Sequence, residues 1–207
     1  MSAQDYFRQI VEFEGLSSER RISELRNRSP NARFTFPIIH MFSLGDKDHS
    51  IVLIAKKELM SRLSSKIKDE KIIKFAMDLL ALAKTGHKRR LVQFCGFLFG
   101  SACYPILDLA MVDPEPTVRA AAIYALEEAS NNGNWKDLIM SGLKDPDSMV
   151  KFSALNFISL KMKNNPNFRV SVKLRNLIAD LIEDKDELVV LSANSLLKVL
   201  SVENLII

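Results

Sequence analysis

Four stretches of the chain share one hydrophobic pattern: a branched aliphatic residue, a small residue four places on, and a large aliphatic residue four places after that. They are Val118, Ala122 and Leu126; Val150, Ala154 and Ile158; Val189, Ala193 and Leu197; and Ile51, Ala55 and Leu59. A spacing of four stacks side chains on one face of a helix, so each triplet predicts an amphipathic α-helix. The small central residue allows a neighbouring helix to approach closely, where a larger one would hold the layers apart.

Each triplet starts five residues after an aspartate, at Asp113, Asp145, Asp184 and Asp46. A weaker fifth copy, "TGHKRRLVQFCGFLF", has Gly86 in place of the aspartate and keeps Leu91, Cys95 and Phe99 in register. The anchors lie 40, 27, 32 and 39 residues apart (46 to 86, 86 to 113, 113 to 145, 145 to 184), which is around the length of a helix-pair repeat. A second acidic residue follows each aspartate two places on, at Asp48, Glu115, Asp147 and Asp186. Carboxylates there satisfy open amides and favour the positive end of the coming helix. Pro114, Pro116 and Pro146 suit the same turns, which do not need the amide that proline lacks.

Upstream of each turn lies another apolar-periodic stretch: "PIIHMFSL", "KIIKFAMDLLALA", "PILDLAMV", "WKDLIMSGL" and "VKLRNLIADLIE". Two helices per repeat follow. Residues 1–33 read as an N-terminal pair of capping helices, "QDYFRQIVEFEG" stopped at Gly15 and "SSERRISELRNR" started at Ser17 or Ser18. Residues 34–207 read as a single continuous repeat array. No strand-like alternation or low-complexity tract interrupts it.

The run "DPEPTVRAAAIYAL" and its echoes resemble the second-helix signature of HEAT repeats: Asp, then Val-Arg, then Ala, then Leu. The resemblance covers residues 34–201. It implies an all-α fold, a right-handed α-α superhelix (a HEAT-like solenoid) of about five helix pairs with an N-terminal helical cap. It also implies a ladder of Asp–Arg contacts between successive repeats, which gives Asp113, Asp145, Arg119 and Lys151 a structural role. Val52, Val92 and Val190 depart from the basic position, so the ladder is expected to be incomplete in the outer repeats.

Charge adds a modest bias. The 29 basic and 25 acidic residues leave a net charge of +4, with the ends basic and the middle acidic: Ser148 to Ala179 holds six bases and no acid. The strongest basic run is His87, Lys88, Arg89 and Arg90, in a turn whose plainer reading is a solvated surface. The polar N-terminus "MSAQDYFRQ" and the two cysteines, Cys95 and Cys103, point to a reducing, cytoplasmic setting. The apolar run at "FCGFLFGSACYPILDLAMVD" is broken by Gly, Pro and Asp, so no membrane span is expected.

Catalytic chemistry finds no purchase in this pattern. His40, His49 and His87 fall in separate segments, and the acidic pairs lack the glycine and bidentate glutamate of a calcium loop. Acyl-transfer and nucleotide signatures are missing, Cys95 takes a core position, and Trp135 opens a helix as a packing residue. No catalytic residue, cofactor or metal is expected.

The expected function is therefore non-catalytic: a binding or scaffold module that holds a protein or peptide partner on the concave face of the solenoid. Positions opposite the buried stripe put Phe97, Ile123, Tyr124, Phe152, Leu155 and Leu191 on that face. The plainer reading of these apolar residues is that adjacent second helices pack them away. The alternative function is nucleic-acid binding, since some DNA glycosylases acting on alkylated bases use a HEAT-like scaffold; Lys88, Arg89 and Arg90 are the candidate phosphate contacts. Leu196, Leu200, Leu205, Ile206 and Ile207 would form a bare C-terminal edge suited to self-association or to a larger assembly.

Overall fold

The computed structural model describes residues 3–27, 43, 46–62, 70–129, 135–165 and 167–203, and all the regular structure among them is helical. His40, the 33/34 boundary, the first helix expected at 37–44 apart from Ser43, the Leu59 side chain and residues 205–207 lie outside the described residues.

The N-terminal pair is α1 (Ala3–Glu14) and α2 (Ser18–Asn27). Then come α3 (His49–Arg62), α4 (Glu70–Leu82), α5 (Thr85–Phe99), a 3-10 turn (Gly100–Cys103) and α6 (Tyr104–Met111). The chain continues through α7 (Pro116–Ala129), α8 (Trp135–Leu143), α9 (Ser148–Asn164), α10 (Val172–Asp180), a 3-10 turn (Leu181–Glu183) and α11 (Glu187–Glu203). The upstream stretches form α4, α6, α8 and α10, and the anchored triplets form α3, α5, α7, α9 and α11.

Helices two apart in the chain pack together as well as neighbours. One row runs α1, α4, α6, α8, α10; in the other α2 packs on α3, and α5, α7, α9 and α11 follow one another. The triplets point between the rows: Val118, Ala122, Leu126, Val150, Ala154, Ile158, Val189 and Ala193 are buried, with Leu197 half-buried. Leu91, Cys95 and Phe99 keep the same register in α5. One hydrophobic cluster runs from Ile10, Phe13 and Leu25 of the first two helices to Leu200 of α11.

Small residues set the spacing. At Gly96 of α5 an added Cβ would lie 2.2 Å from the Ala125 carbonyl oxygen of α7, so these two backbones nearly touch. At Gly142 of α8 it would lie 3.2 Å from the Ala154 Cβ of α9, which explains the small residue at the centre of that triplet.

Thr85–Met111 is long and apolar enough to cross a membrane by length and composition, with a window of mean hydropathy 1.5, contrary to the sequence expectation. Of that window 56% is buried inside the protein. Within the stretch Gly100, at φ 56°, turns the chain between α5 and α6, a conformation open to glycine because it has no Cβ.

Trp135 is buried against Phe157 and Phe168, with ring centroids at 5.7 and 5.3 Å. Leu196 and Leu200, expected at a bare edge, are instead in the core, because α11 turns them toward α9 and α10. Leu188, Leu191 and Val199 are the large apolar residues exposed among the described side chains of α11.

Candidate partner-binding face

The second helices lie side by side because each acidic turn works in two directions. Oδ1 of Asp46, Asp113, Asp145 and Asp184 accepts a hydrogen bond from the amide two residues on, at 2.9, 3.0, 2.9 and 2.9 Å. This shapes the turn. Asp48, Asp147 and Asp186 then accept from the amides of Ser50, Met149 and Leu188 and start α3, α9 and α11.

The other oxygen of each leading aspartate faces a base on the preceding second helix. Arg21 pairs with Asp46, Lys88 Nζ with Asp113 at 2.8 Å, and Lys151 Nζ with Asp184 at 2.6 Å. Arg119 grips Asp145 with two nitrogens, at 2.7 and 2.8 Å, and donates back to the carbonyls of Asp113 and Pro114. Its side chain is 12% exposed and that of Asp145 6%, so this rung is largely withdrawn from water. Charge and geometry together make it the strongest of the set.

The ladder is more complete than the sequence pattern implied. Lys88 supplies the rung that Val92 cannot, from one helical turn earlier, and Arg21 supplies one from the N-terminal pair. The gap falls between α3 and α5, where Val52 stands at the basic position and Gly86 at the acidic one. There α5 is tied to α1 instead: His87 Nε2 and Arg90 Nη1 each reach Glu14 at 2.8 Å.

These contacts revise the basic run. Lys88 and Arg90 are spent on Asp113 and Glu14, so as phosphate contacts they are withdrawn; Arg89 stays exposed. The Glu14 carboxyl is held below its ordinary value first by the His87 hydrogen bond, against the opposing effect of burial. The Asp184 carboxyl is lowered first by its bond from Lys151 and then by the Asp186 amide.

A carboxyl lowered in the folded state adds stability that is present above its unfolded value, 3.8 for Asp184, and is lost as pH falls through the lower folded value. The protein is therefore expected to lose stability to urea steeply below about pH 4, and Asp184→Asn to lose less over the same interval. Parallel losses in the two proteins would remove Asp184 from the acid response.

Along the outer side of the second helices runs a trough. Between α9 and α11 it opens into a cavity of about 470 Å³ walled by Phe152, Met162 and Lys163 from one side and Leu191, Ser195 and Val199 from the other. A second cavity, of about 380 Å³, lies over α5, α7 and α9 with Arg89, Gln93, Tyr124 and Ser153 in its wall. A third, small cavity of about 20 Å³ is next to both, sharing Tyr124 and Ser153 with one and Asn156 with the other.

Of the six residues assigned to this face from sequence, Tyr124, Phe152 and Leu191 are 57%, 41% and 55% exposed. Phe97 is half-buried against the core and lines none of these cavities. Ile123 and Leu155, each 1% exposed, are buried in the core rather than open on the face, because their helices have neighbours on both sides, and they meet the cavities from beneath, Leu155 in the wall of the large one and Ile123 in that of the smallest. Met149, Met162 and Val199 belong to the trough and were missed, although Met149 and Val199 lie on helix faces flanking the chosen positions.

Cys95 and Cys103 are both buried, and burial, with Cys103 beside it, pushes the Cys95 thiol up. The thiol is thus held in its unreactive form. Among the described residues no group of three or more His, Cys, Asp or Glu side chains could hold a metal ion. Neither a protein-family model, nor a curated protein, nor a solved structure matches this chain.

Proposed function

We propose that this chain is a non-catalytic, HEAT-like α-helical solenoid that holds a protein or peptide partner in the trough over α5, α7, α9 and α11. The observation that carries the reading is the exposure of Tyr124, Phe152 and Leu191 in the walls of adjacent cavities along the second helices. An unpaired face of a helix would ordinarily be polar; large side chains held open beside hydroxyls and amides suit an amphipathic segment. The regular acid–base rungs and the two rows of helices support the solenoid.

Charge narrows the occupant. The wall residues with charge are Arg89 in the α5–α7 part, Glu127 in the smallest cavity and Lys163 beside the large cavity. A helix that complements them carries apolar anchors for Phe152, Leu191 and Val199, an acidic residue toward each end and a basic one between. A phosphate backbone would meet Glu127 and an apolar wall, which favours the peptide over nucleic acid.

A photo-crosslinking residue placed at Leu191, with a second variant carrying it at the exposed Lys74 of α4 as control, tests this in extract of the native source. The expected product at Leu191 maps to an amphipathic segment of one protein; a synthetic peptide of that segment should bind the intact protein and bind the Phe152→Ser/Leu191→Ser variant at least about tenfold more weakly. The same products from both positions, a nucleic-acid adduct, or undiminished peptide binding by the folded variant would overturn the reading.

A further inference from the structure

The aspartate that opens each turn also sets the register of the outer face of the helix behind it. Seven residues after Asp145 and Asp184 stand Phe152 and Leu191 (145 to 152, 184 to 191), and eleven residues after them stand Asn156 and Ser195 (145 to 156, 184 to 195). All four line the cavity of about 470 Å³ between α9 and α11. A step of four residues is about one helical turn, so the wall is layered. An apolar layer at Phe152 and Leu191 is followed by a polar one at Asn156 and Ser195, flanked by Ser159 and Ser192, and Met162 and Val199 close the far side.

The polar layer holds hydrogen-bonding capacity that the protein leaves open. Serine and asparagine on a helix can return a hydrogen bond to the carbonyl four residues back. Ser153 donates in this way to Met149, Asn194 to Val190 and Ser201 to Leu197. Among the described residues the side chains of Asn156, Ser159, Ser192 and Ser195 form neither this bond nor another. Asn156 and Ser192 are half-buried, so an occupant that fills the cavity displaces their water and has to replace its hydrogen bonds.

The chemistry of the wall then limits what fits. An acyl chain or a wholly apolar helix face would satisfy the apolar layers and leave the carboxamide and the hydroxyls without partners. A charged side chain at the polar layer would meet neutral groups, since Lys163, at the C-terminal end of α9, is the one charged residue lining the cavity among those described. Asparagine, glutamine, serine and threonine both donate and accept, as the wall groups do. A helix lying along the groove brings residues one turn apart against successive layers.

We propose that the groove between α9 and α11 selects a partner helix by a neutral polar side chain on its apolar face, one turn from an apolar residue on either side and read by Asn156 and Ser195. An acidic residue a further turn on meets Lys163. The pattern rests on the trough being a peptide site and states what its occupant carries. The polar contact fixes register, because sliding the helix by one turn sets an apolar side chain over Asn156 and a polar one against Phe152 or Met162.

Selection from a displayed library on the intact protein tests this. The probes are alanine-rich helical peptides of about eighteen residues, with leucine at two positions two turns apart and the position one turn after the first randomised. The wild-type protein should enrich asparagine, glutamine, serine and threonine there, and by calorimetry the asparagine peptide should bind about tenfold more tightly than its leucine counterpart. Asn156→Leu/Ser195→Leu should reverse that order, and Asn156→Asp should select lysine or arginine, each with an unchanged thermal melt. Apolar residues enriched by the wild-type protein, or an unchanged preference in either folded variant, would overturn the inference and leave the trough a peptide site. Failure of the wild-type protein to select any peptide would overturn both. So would a dimer in sedimentation that Leu191→Ser dissociates, which makes a second copy of the chain the occupant.

Discussion

Gly96→Ala is expected to destabilise the protein by at least about 3 kcal/mol, beyond the usual range for one added methyl, and to lower its urea midpoint accordingly. The new Cβ would stand 2.2 Å from the Ala125 carbonyl oxygen and 3.1 Å from its carbonyl carbon, and both are backbone atoms that cannot rotate away. Relief requires α5 and α7 to separate, and these two helices share the most intimate packing in the second row. Gly86→Ala is the matched control: nothing lies within 4 Å of its Cβ, near the start of the same helix. That change should be neutral or stabilise by up to about 1 kcal/mol, since alanine restricts the unfolded chain and favours helix. Equal effects of the two substitutions would contradict the close approach.

Asp145→Ala is expected to cost about 3 kcal/mol, between the value of an exposed ion pair and that of a fully buried one. Two losses combine. The Arg119 guanidinium keeps its charge with no carboxylate to receive it, and the Asp147 amide loses the oxygen that holds the turn. Arg119→Ala/Asp145→Ala should be less damaging than the sum of the two single changes, because the second substitution removes the charge that the first left stranded. Additive losses in urea melts would show that Arg119 and Asp145 are not coupled, and a cost for Asp145→Ala below about 0.5 kcal/mol that the rung carries no stability.

The repeat was readable in the sequence because Asp113, Asp145 and Asp184 perform two tasks at one position. Each shapes its own turn and pairs with the preceding helix, so the residue type recurs at a fixed distance from the buried triplet. The helix starts at Trp135 and Ser148 were legible from local signals: Gly133 and Asn134 ahead of the first, and the acidic turn ending in the Asp147 N-cap ahead of the second.

Other features depend on contacts between distant parts of the chain. Glu14 lies 73 and 76 positions from His87 and Arg90, and no local pattern announces that pairing, so the basic run reads as solvated. Lys88 stands outside the aligned basic position, yet its long side chain reaches the same kind of aspartate from a turn earlier. Ile123 and Leu155 were placed on the surface by a helical wheel with one buried stripe. Helices α7 and α9 each touch a neighbour in their own row on both sides as well as helices of the other row, and that wider contact arc takes both residues into the core.

The trough was half legible. The rule that selects positions opposite the buried stripe found Tyr124, Phe152 and Leu191, because it depends only on helical period. The depth between α9 and α11, and the part taken by Met162, Lys163 and Val199, follow from how the two helices sit beside each other.

Hydrogen–deuterium exchange of the intact protein, with and without the partner segment recovered by crosslinking, tests the proposed binding face most directly. The expected result is slowed exchange concentrated in α9 and α11, around Phe152–Lys163 and Leu191–Val199, with weaker protection near Tyr124 and little change in α4, α6 or α8. Protection confined to α4, α6, α8 and α10, or no change at a saturating concentration of the segment, would contradict it.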